Sequence, residues 1–450
     1  MTFKSINPAN GEVLASFEED RDYFSKIRKG EQTYKRWKKT EIAERIALVL
    51  RLAAILENRK NELAKEISLE MGKTLKSATA EIEKCAITAK YYCQVAEEQL
   101  RGTEVNNYAH KAYYSFEPQG GILAVMPWNF PYWQVLRFAI PTILAGNVVF
   151  LKHAPNVFMS ATKLEELFFE AGFEQGILQN LFVDIDKIES IVADPFIKGV
   201  TLTGSNLAGS SLAGLAGKYL KKSILELGGS DPFIVLADAN IENATTFAVK
   251  SRFQNAGQTC IAAKRWIVAE EVYEEFLSLV SAKINKLKVG DPFDVETDFG
   301  PVARIDLAKK IESQIAALVG NGAKKLISGT RNGCFMTPTL LEISRKLSSE
   351  FTEELFGPVA CIIKAKNTDD AIEIANETSF GLGASLWSKD LTNGEQLLKQ
   401  LNAGNVYLNS MVKSDASMPF GGINQSGYGR ELGVYGLHEF CNIKSYIVEK

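Results

Sequence analysis

From Gly121 onward the chain alternates short apolar runs with helical segments, and this alternation limits the fold more than any other feature. The first series of runs covers residues 122–125, 148–151, 181–183, 200–202 and 224–227, with helices expected at 159–171, 185–193 and 207–219 between them. Strands that alternate with helices predict a parallel sheet, and helices on both of its faces make that sheet doubly wound. A second series restarts at 233–236 and continues through 266–269, 326–328, 360–363 and 406–408. The expected fold is therefore α/β with two doubly wound domains. A length of 450 residues agrees, since single cores stop growing at roughly 250–300 residues.

Residues 41–70 carry Ile46, Val49, Leu50, Ala53, Leu56, Leu63 and Ile67 near helical spacing, which predicts an amphipathic surface helix pair. The basic run 35–39 reads as a solvated helical face. The longest apolar stretch, 132–151, contains Arg137, Pro141 and Asn147 and reads as buried core instead of a membrane span. Residues 432–441 are expected to be helical and 443–448 to form an end strand. That strand can pair within its own chain or with another subunit.

Charge and cysteine usage remove several classes of function. Lysine plus arginine number 51 against 54 acidic residues, a net charge of −3, so there is no basic surplus for nucleic acid or anionic lipid. The start of the chain, MTFKSINPANGEV, lacks a basic and apolar leader, and a cytoplasmic location is expected. Six cysteines include no C-x-x-C pair, and three histidines include no H-E-x-x-H, so neither a disulfide framework nor a metal site is expected.

Four local motifs could carry chemistry, and each has a plain structural alternative. Gln254-Asn255-Ala256-Gly257-Gln258-Thr259-Cys260 puts a thiol at the end of a polar loop, although a lone cysteine is more often an inert small residue. Leu225-Glu226-Leu227-Gly228-Gly229 puts a carboxylate at a strand's carboxyl end, where open α/β sheets bind ligands, or where a charge is simply solvated. Met126-Pro127-Trp128-Asn129-Phe130-Pro131 fixes an amide between prolines, which suits a preorganised donor as well as a plain turn. Thr203-Gly204-Ser205-Asn206-Leu207-Ala208-Gly209 opens a helix and could hold a phosphate, or Ser205 could merely cap it.

These motifs occur in order with Leu151-Lys152-His153-Ala154-Pro155, Glu353-Glu354-Leu355-Phe356-Gly357-Pro358 and Ser426-Gly427-Tyr428-Gly429-Arg430-Glu431. The set resembles the aldehyde dehydrogenase superfamily along nearly the whole chain, and most of all its short bacterial succinate-semialdehyde dehydrogenases. The resemblance implies Cys260 as nucleophile, Glu226 as general base and Asn129 as oxyanion donor. For NAD or NADP it implies Lys152 at the adenosine ribose, Ser205 at the pyrophosphate, Glu354 at the nicotinamide ribose and Phe356 packed against that end. Trp128, Gly204, Gly209 and Leu227 complete the cofactor set. Pro155 stands where NAD-selective members carry a glutamate that repels a 2′-phosphate, so neither dinucleotide is selected.

The implied reaction oxidises an aldehyde through a thiohemiacetal and a hydrolysed thioester, with succinate semialdehyde the expected substrate. Arg137 lies about two helical turns beyond Asn129 and could bind the distal carboxylate beside Trp133 and Ser414. The alternative is that Arg137 pairs with an internal acid and fixes its helix. Two other functions remain open, a non-catalytic dinucleotide-binding protein and a cysteine hydrolase pairing Cys260 with His153. The resemblance divides the chain into a dinucleotide-binding domain at 1–227, with an oligomerisation hairpin near 106–119, a catalytic domain at 228–424 and an oligomerisation strand within 425–450. A homodimer or homotetramer is implied.

Overall fold

The computed structural model describes residues 1–107 and 109–450; Tyr108, within the hairpin expected near 106–119, lies outside the described residues. Two mainly parallel sheets dominate the chain. The first is six-stranded, in the order Gly427–Tyr428, Lys222–Glu226, Ile197–Thr203, Gly121–Met126, Val148–His153, Leu178–Asn180, with only the short strand Gly427–Tyr428 antiparallel. The second is seven-stranded, in the order Lys324–Ile327, Thr339–Glu342, Val359–Ala365, Ala263–Ala269, Asp231–Val235, Gly383–Trp387, Asn405–Leu408. The last parallel strand of the first sheet ends at Glu226 and the second sheet begins at Asp231, so the glycines between them carry the chain from one core to the next.

Both sheets are apolar runs because they are covered by helices. Val149, Phe150 and Leu151 in the first sheet and Trp266, Ile267 and Val268 in the second have no more than 0% exposure. Residues buried on both faces of a sheet cannot alternate with polar ones. The apolar stretch 132–151 resolves into the wholly buried helix Trp133–Leu144 and the strand Val148–His153. No helix among the described residues is long and apolar enough to cross a membrane.

Several expectations need correction. Residues 41–70 form one unbroken helix, Ile42–Met71, not a pair, and it ends only where Gly72 takes φ 81°. Leu50 lies on its exposed side, whereas Leu52 and Ala64 join Val49, Leu56 and Ile67 in the core. The third strand of the first sheet is Leu178–Asn180, and residues 181–183 continue past it as irregular chain. The strands Thr339–Glu342 and Gly383–Trp387 carried no clear apolar run, and the chain opens with a hairpin, Thr2–Ile6 with Val13–Glu18. The last strand, Cys441–Val448, pairs antiparallel with Lys111–Pro118 of its own chain, and Thr103–Glu104 completes this small sheet.

Candidate active site

In the first sheet the chain runs from Gly121–Met126 to two strands on one side, then returns to Ile197–Thr203 on the other. The strand order reverses there, and the carboxyl ends of those two strands part to leave a crevice. The loops after them carry Trp128 and Asn129 from one strand, and Gly204 and Ser205 from the other. A cavity of about 420 Å³ fills the crevice, lined by these residues together with Glu226, Leu227, Cys260, Glu354 and Phe356. Residues from both halves of the sequence thus meet at one wall.

The thiol is presented by a backbone held in an uncommon shape. Asn255, Ala256 and Gly257 all take positive φ, at 54°, 53° and 72°. Such conformations cost non-glycine residues energy and persist only where the surroundings enforce them. At Gly257 a β-carbon would stand 2.3 Å from the Gly357 carbonyl, so only glycine lets the thiol loop approach the Phe356 loop. Buried Arg252 clamps the two loops together, donating to the carbonyls of Gly257, Leu355, Gly357 and Val359. The Asn129 amide donates to the Gln258 carbonyl at 3.0 Å, and Asn255 donates back to the Asn129 carbonyl at 3.0 Å. Asn129 is thereby fixed beside Cys260.

Burial pushes the Cys260 thiol up to about 12, with Arg137 and Lys264 opposing and Glu354 and Glu226 reinforcing. At neutral pH it is a thiol that must lose its proton as it reacts. Glu226 is 2% exposed and titrates well above the usual carboxylate range, because burial and the nearby Glu431 disfavour its charge. The raised pKa makes the Glu226 carboxylate a stronger base than an ordinary one, and it is this charged form that can accept a proton from water.

The cofactor residues divide between lining and support. Ser205 caps the helix Asn206–Lys218 by accepting the Ala208 N–H at 3.3 Å, and Asn206 and Leu207 of its first turn line the cavity. Within that helix Gly209 admits Leu227, whose Cδ2 would lie 2.5 Å from a β-carbon there. Glu354 accepts the Gly229 N–H at 3.2 Å and pairs with Lys264 at 3.0 Å. The Phe356 and Trp128 rings meet edge to face at 5.7 Å. Lys152 and Pro155 lie outside this lining: Lys152 is near the end of Val148–His153, its pKa lowered by burial, and Pro155 opens the turn Pro155–Val157. The cavity, the capped helix start and the glycines fit a dinucleotide.

A second cavity of about 230 Å³ shares Gln134 and Cys260 with the first, so the thiol stands at the junction of the two. Trp133, Arg137 and Ser414 line it. Arg137 is not a free cation: its Nε lies 2.5 Å from Glu431 Oε2, both residues being almost fully buried, and its Nη2 donates to Thr203 Oγ1 at 3.3 Å. This is the internal-acid arrangement.

Residues absent from the sequence reading also build the site. Lys264 donates to the carbonyls of Thr259 and Cys260 as well as meeting Glu354. Glu81 receives the Tyr132 and Trp133 N–H groups at 2.9 and 3.0 Å, anchoring the helix after the Asn129 loop, and pairs with fully buried Lys73 at 2.5 Å. Buried lysines carry no local signal in sequence. His153 serves structure: its Nδ1 accepts the Ala154 N–H, so Nε2 donates to the Pro131 carbonyl at 2.9 Å, and burial lowers it to about 4. Both of its nitrogens are occupied away from Cys260, which weighs against a cysteine hydrolase.

Comparison with known proteins agrees with this geometry. The pattern of the aldehyde dehydrogenase family matches residues 1–446. A succinate-semialdehyde dehydrogenase [NADP(+)] 1 of Mycobacterium tuberculosis is 42% identical over 99% of both chains. Among solved structures, succinic semialdehyde dehydrogenase of Streptococcus pyogenes in complex with NADP+ matches at TM-score 0.97 and 36% identity, covering 100% of both chains. An NAD-dependent aldehyde dehydrogenase of Sinorhizobium meliloti matches at TM-score 0.96 and 31% identity, over 100% of this chain and 92% of that one. The chain belongs to the aldehyde dehydrogenase family, enzymes that oxidise aldehydes with NAD or NADP.

Proposed function

We propose that the chain oxidises succinate semialdehyde to succinate, with NADP favoured and NAD as the alternative acceptor. The observation that carries this reading is the position of Cys260 between two cavities, one with a glycine-lined helix start and one with a cationic wall. The names of the relatives support the substrate and NADP, and Pro155 presents no carboxylate to repel a 2′-phosphate.

In this mechanism the Cys260 thiol attacks the aldehyde carbonyl and gives a thiohemiacetal. The Asn129 amide and the Cys260 backbone N–H hold the oxygen as it gains charge, a contribution that is largest in the transition state. The bound nicotinamide supplies a hydride acceptor. Glu226 then takes a proton from the water that attacks the thioester, releasing the acid and restoring the thiol. Lys152, Ser205, Glu354 and Phe356 position the dinucleotide, with Trp128, Gly204, Gly209 and Leu227 shaping its pocket. Trp133 and Ser414 border the aldehyde.

The division into a dinucleotide-binding part at 1–227, a thiol-bearing part at 228–424 and an assembly segment at 425–450 follows the same reading. The strand Cys441–Val448 lies at the edge of its sheet with Ile443, Ile447 and Val448 exposed, which supports assembly into a homodimer or homotetramer. The test is absorbance of reduced nicotinamide with a panel of aldehydes, each with NAD and with NADP. Turnover without dinucleotide, or no preference for succinate semialdehyde over butanal, would reject the proposal.

A further inference from the structure

The strand Ala263–Ala269 begins shortly after the thiol, and its second residue, Lys264, folds its side chain back over the thiol loop. Lys264 is 1% exposed. Its ammonium has three protons and meets three acceptors: the Thr259 carbonyl at 3.1 Å, the Cys260 carbonyl at 2.6 Å and Glu354 Oε1 at 3.0 Å. The same Glu354 oxygen accepts the Gly229 N–H, in the loop that follows Glu226. One lysine thus ties together the peptide of Cys260, the carboxylate expected at the nicotinamide ribose and the loop beyond the base.

Holding two carbonyls does not call for a charge. A neutral amide could donate to both without the cost of burying an ammonium, which is high even when the ion is paired. What the charge adds is a field at the sulfur, a few covalent bonds from the carbonyl that Lys264 holds. Glu354 does not cancel that field, because its side chain is 18% exposed and solvent screens it more than it screens the lysine. The charged groups that face the thiol are Arg137 from the helix Trp133–Leu144, Glu226 from the strand Lys222–Glu226, Lys264 and Glu354. Burial takes Cys260 up to about 12; Arg137 and Lys264 draw it down, while Glu354 and Glu226 hold it up. Arg137 shares its charge with Glu431, and Lys264 is faced by Asp231 as well as by Glu354.

We propose that Lys264 is a positioning residue for the nucleophile: it locks the Cys260 peptide to Glu354 and supplies a positive charge that favours the thiolate as Cys260 attacks. The inference rests on the reading that Cys260 is the nucleophile. Cutting the bridge at its two ends should therefore act on the thiol with opposite signs, since one end is a cation and the other an anion.

The readout is the rate at which iodoacetamide, a neutral reagent, alkylates Cys260 in the full-length enzyme before any dinucleotide is added. It is followed by intact mass from about pH 7 to 9.5, with Cys260→Ala as the blank. Only the thiolate reacts, so the rate reports its fraction. A charge beside a titrating group changes that fraction about tenfold or more, and the opposite change in nucleophilicity offsets part of the effect. Lys264→Met should therefore slow alkylation about three- to tenfold. Lys264→Arg keeps the charge and should stay within about twofold of the parent. Glu354→Gln removes the carboxylate that opposes the lysine and should speed alkylation about threefold. A merely structural bridge gives no such signs, because cutting it from either end loosens the same loop and moves both variants the same way. Both variants slower, both faster, or no change with Lys264→Met would overturn the assignment. If Lys264→Met fails to fold, Glu354→Gln decides, and alkylation that is unchanged or slower there overturns it. Full turnover by enzyme already alkylated at Cys260 instead refutes the nucleophile reading on which the proposal stands.

Discussion

Replacing Glu226 with glutamine separates the two halves of the reaction. The change keeps shape and removes a charge from a fully buried position whose Oε1 has no hydrogen-bond partner, so little native bonding is lost. Glu226 also holds the Cys260 thiol high, and removing its charge should leave acylation at its former rate or slightly faster. Hydrolysis of the thioester loses its base, a loss on the order of 10²–10⁴-fold. The steady state therefore takes an uncommon form: kcat and KM fall together while kcat/KM, set by acylation, stays near the parent value. Stopped-flow absorbance should show a burst of about one reduced nicotinamide per active site and then a slow phase. Intact mass after quenching should show an acyl group on Cys260. In the parent, the Glu226 pKa lies well above the usual carboxylate range, so hydrolysis weakens as pH falls through that raised value, and the variant's residual rate should lack this acid limb. No burst, no acyl adduct and an equal fall in kcat and kcat/KM would refute the argument and assign Glu226 to thiol deprotonation.

Three further outcomes are expected. Cys260→Ala should abolish turnover while dinucleotide binding, measured by calorimetry, remains within about threefold, since the thiol is one small side chain among the many that line the cavity; turnover near the parent rate removes the nucleophile assignment. Pro155→Glu places a carboxylate where NAD-selective relatives of this family carry one, and should raise KM for NADP about tenfold with a smaller effect on NAD; equal effects would mean the position does not face the 2′-phosphate. Peroxide should inactivate by oxidising Cys260 without an internal disulfide, because the other five cysteines are buried; mass spectrometry finding Cys260 linked to one of them refutes this.

What could be read in the sequence was whatever is fixed locally. Asn129, Gly204 and Ser205 stand in the loops that follow strands, and Glu226 is the last residue of one, so the sheet delivers them to one crevice. Thr339–Glu342 escaped because only Leu340 and Leu341 within it are apolar, and Gly383–Trp387 because its small residues Gly383, Ala384 and Ser385 pack without announcing an apolar stretch. The cations escaped for a different reason. A lysine or arginine is by default solvated, and nothing near Lys73, Arg252 or Lys264 in sequence tells of carbonyls and carboxylates brought from far along the chain. Glu431 was visible within a motif, but its partner Arg137 lies far back in the chain, on the helix Trp133–Leu144.

That distant pairing bears on the base as much as on the helix. Only Nε and Nη2 of Arg137 are engaged, by Glu431 and Thr203, so its guanidinium can hold Glu431 and still face the second cavity that it lines. Breaking the pair by removing Arg137 would cost about 3–5 kcal/mol. It would also leave Glu431 and Glu226 facing each other without the guanidinium that moderates both, pushing Glu226 further from the charged form it needs as a base.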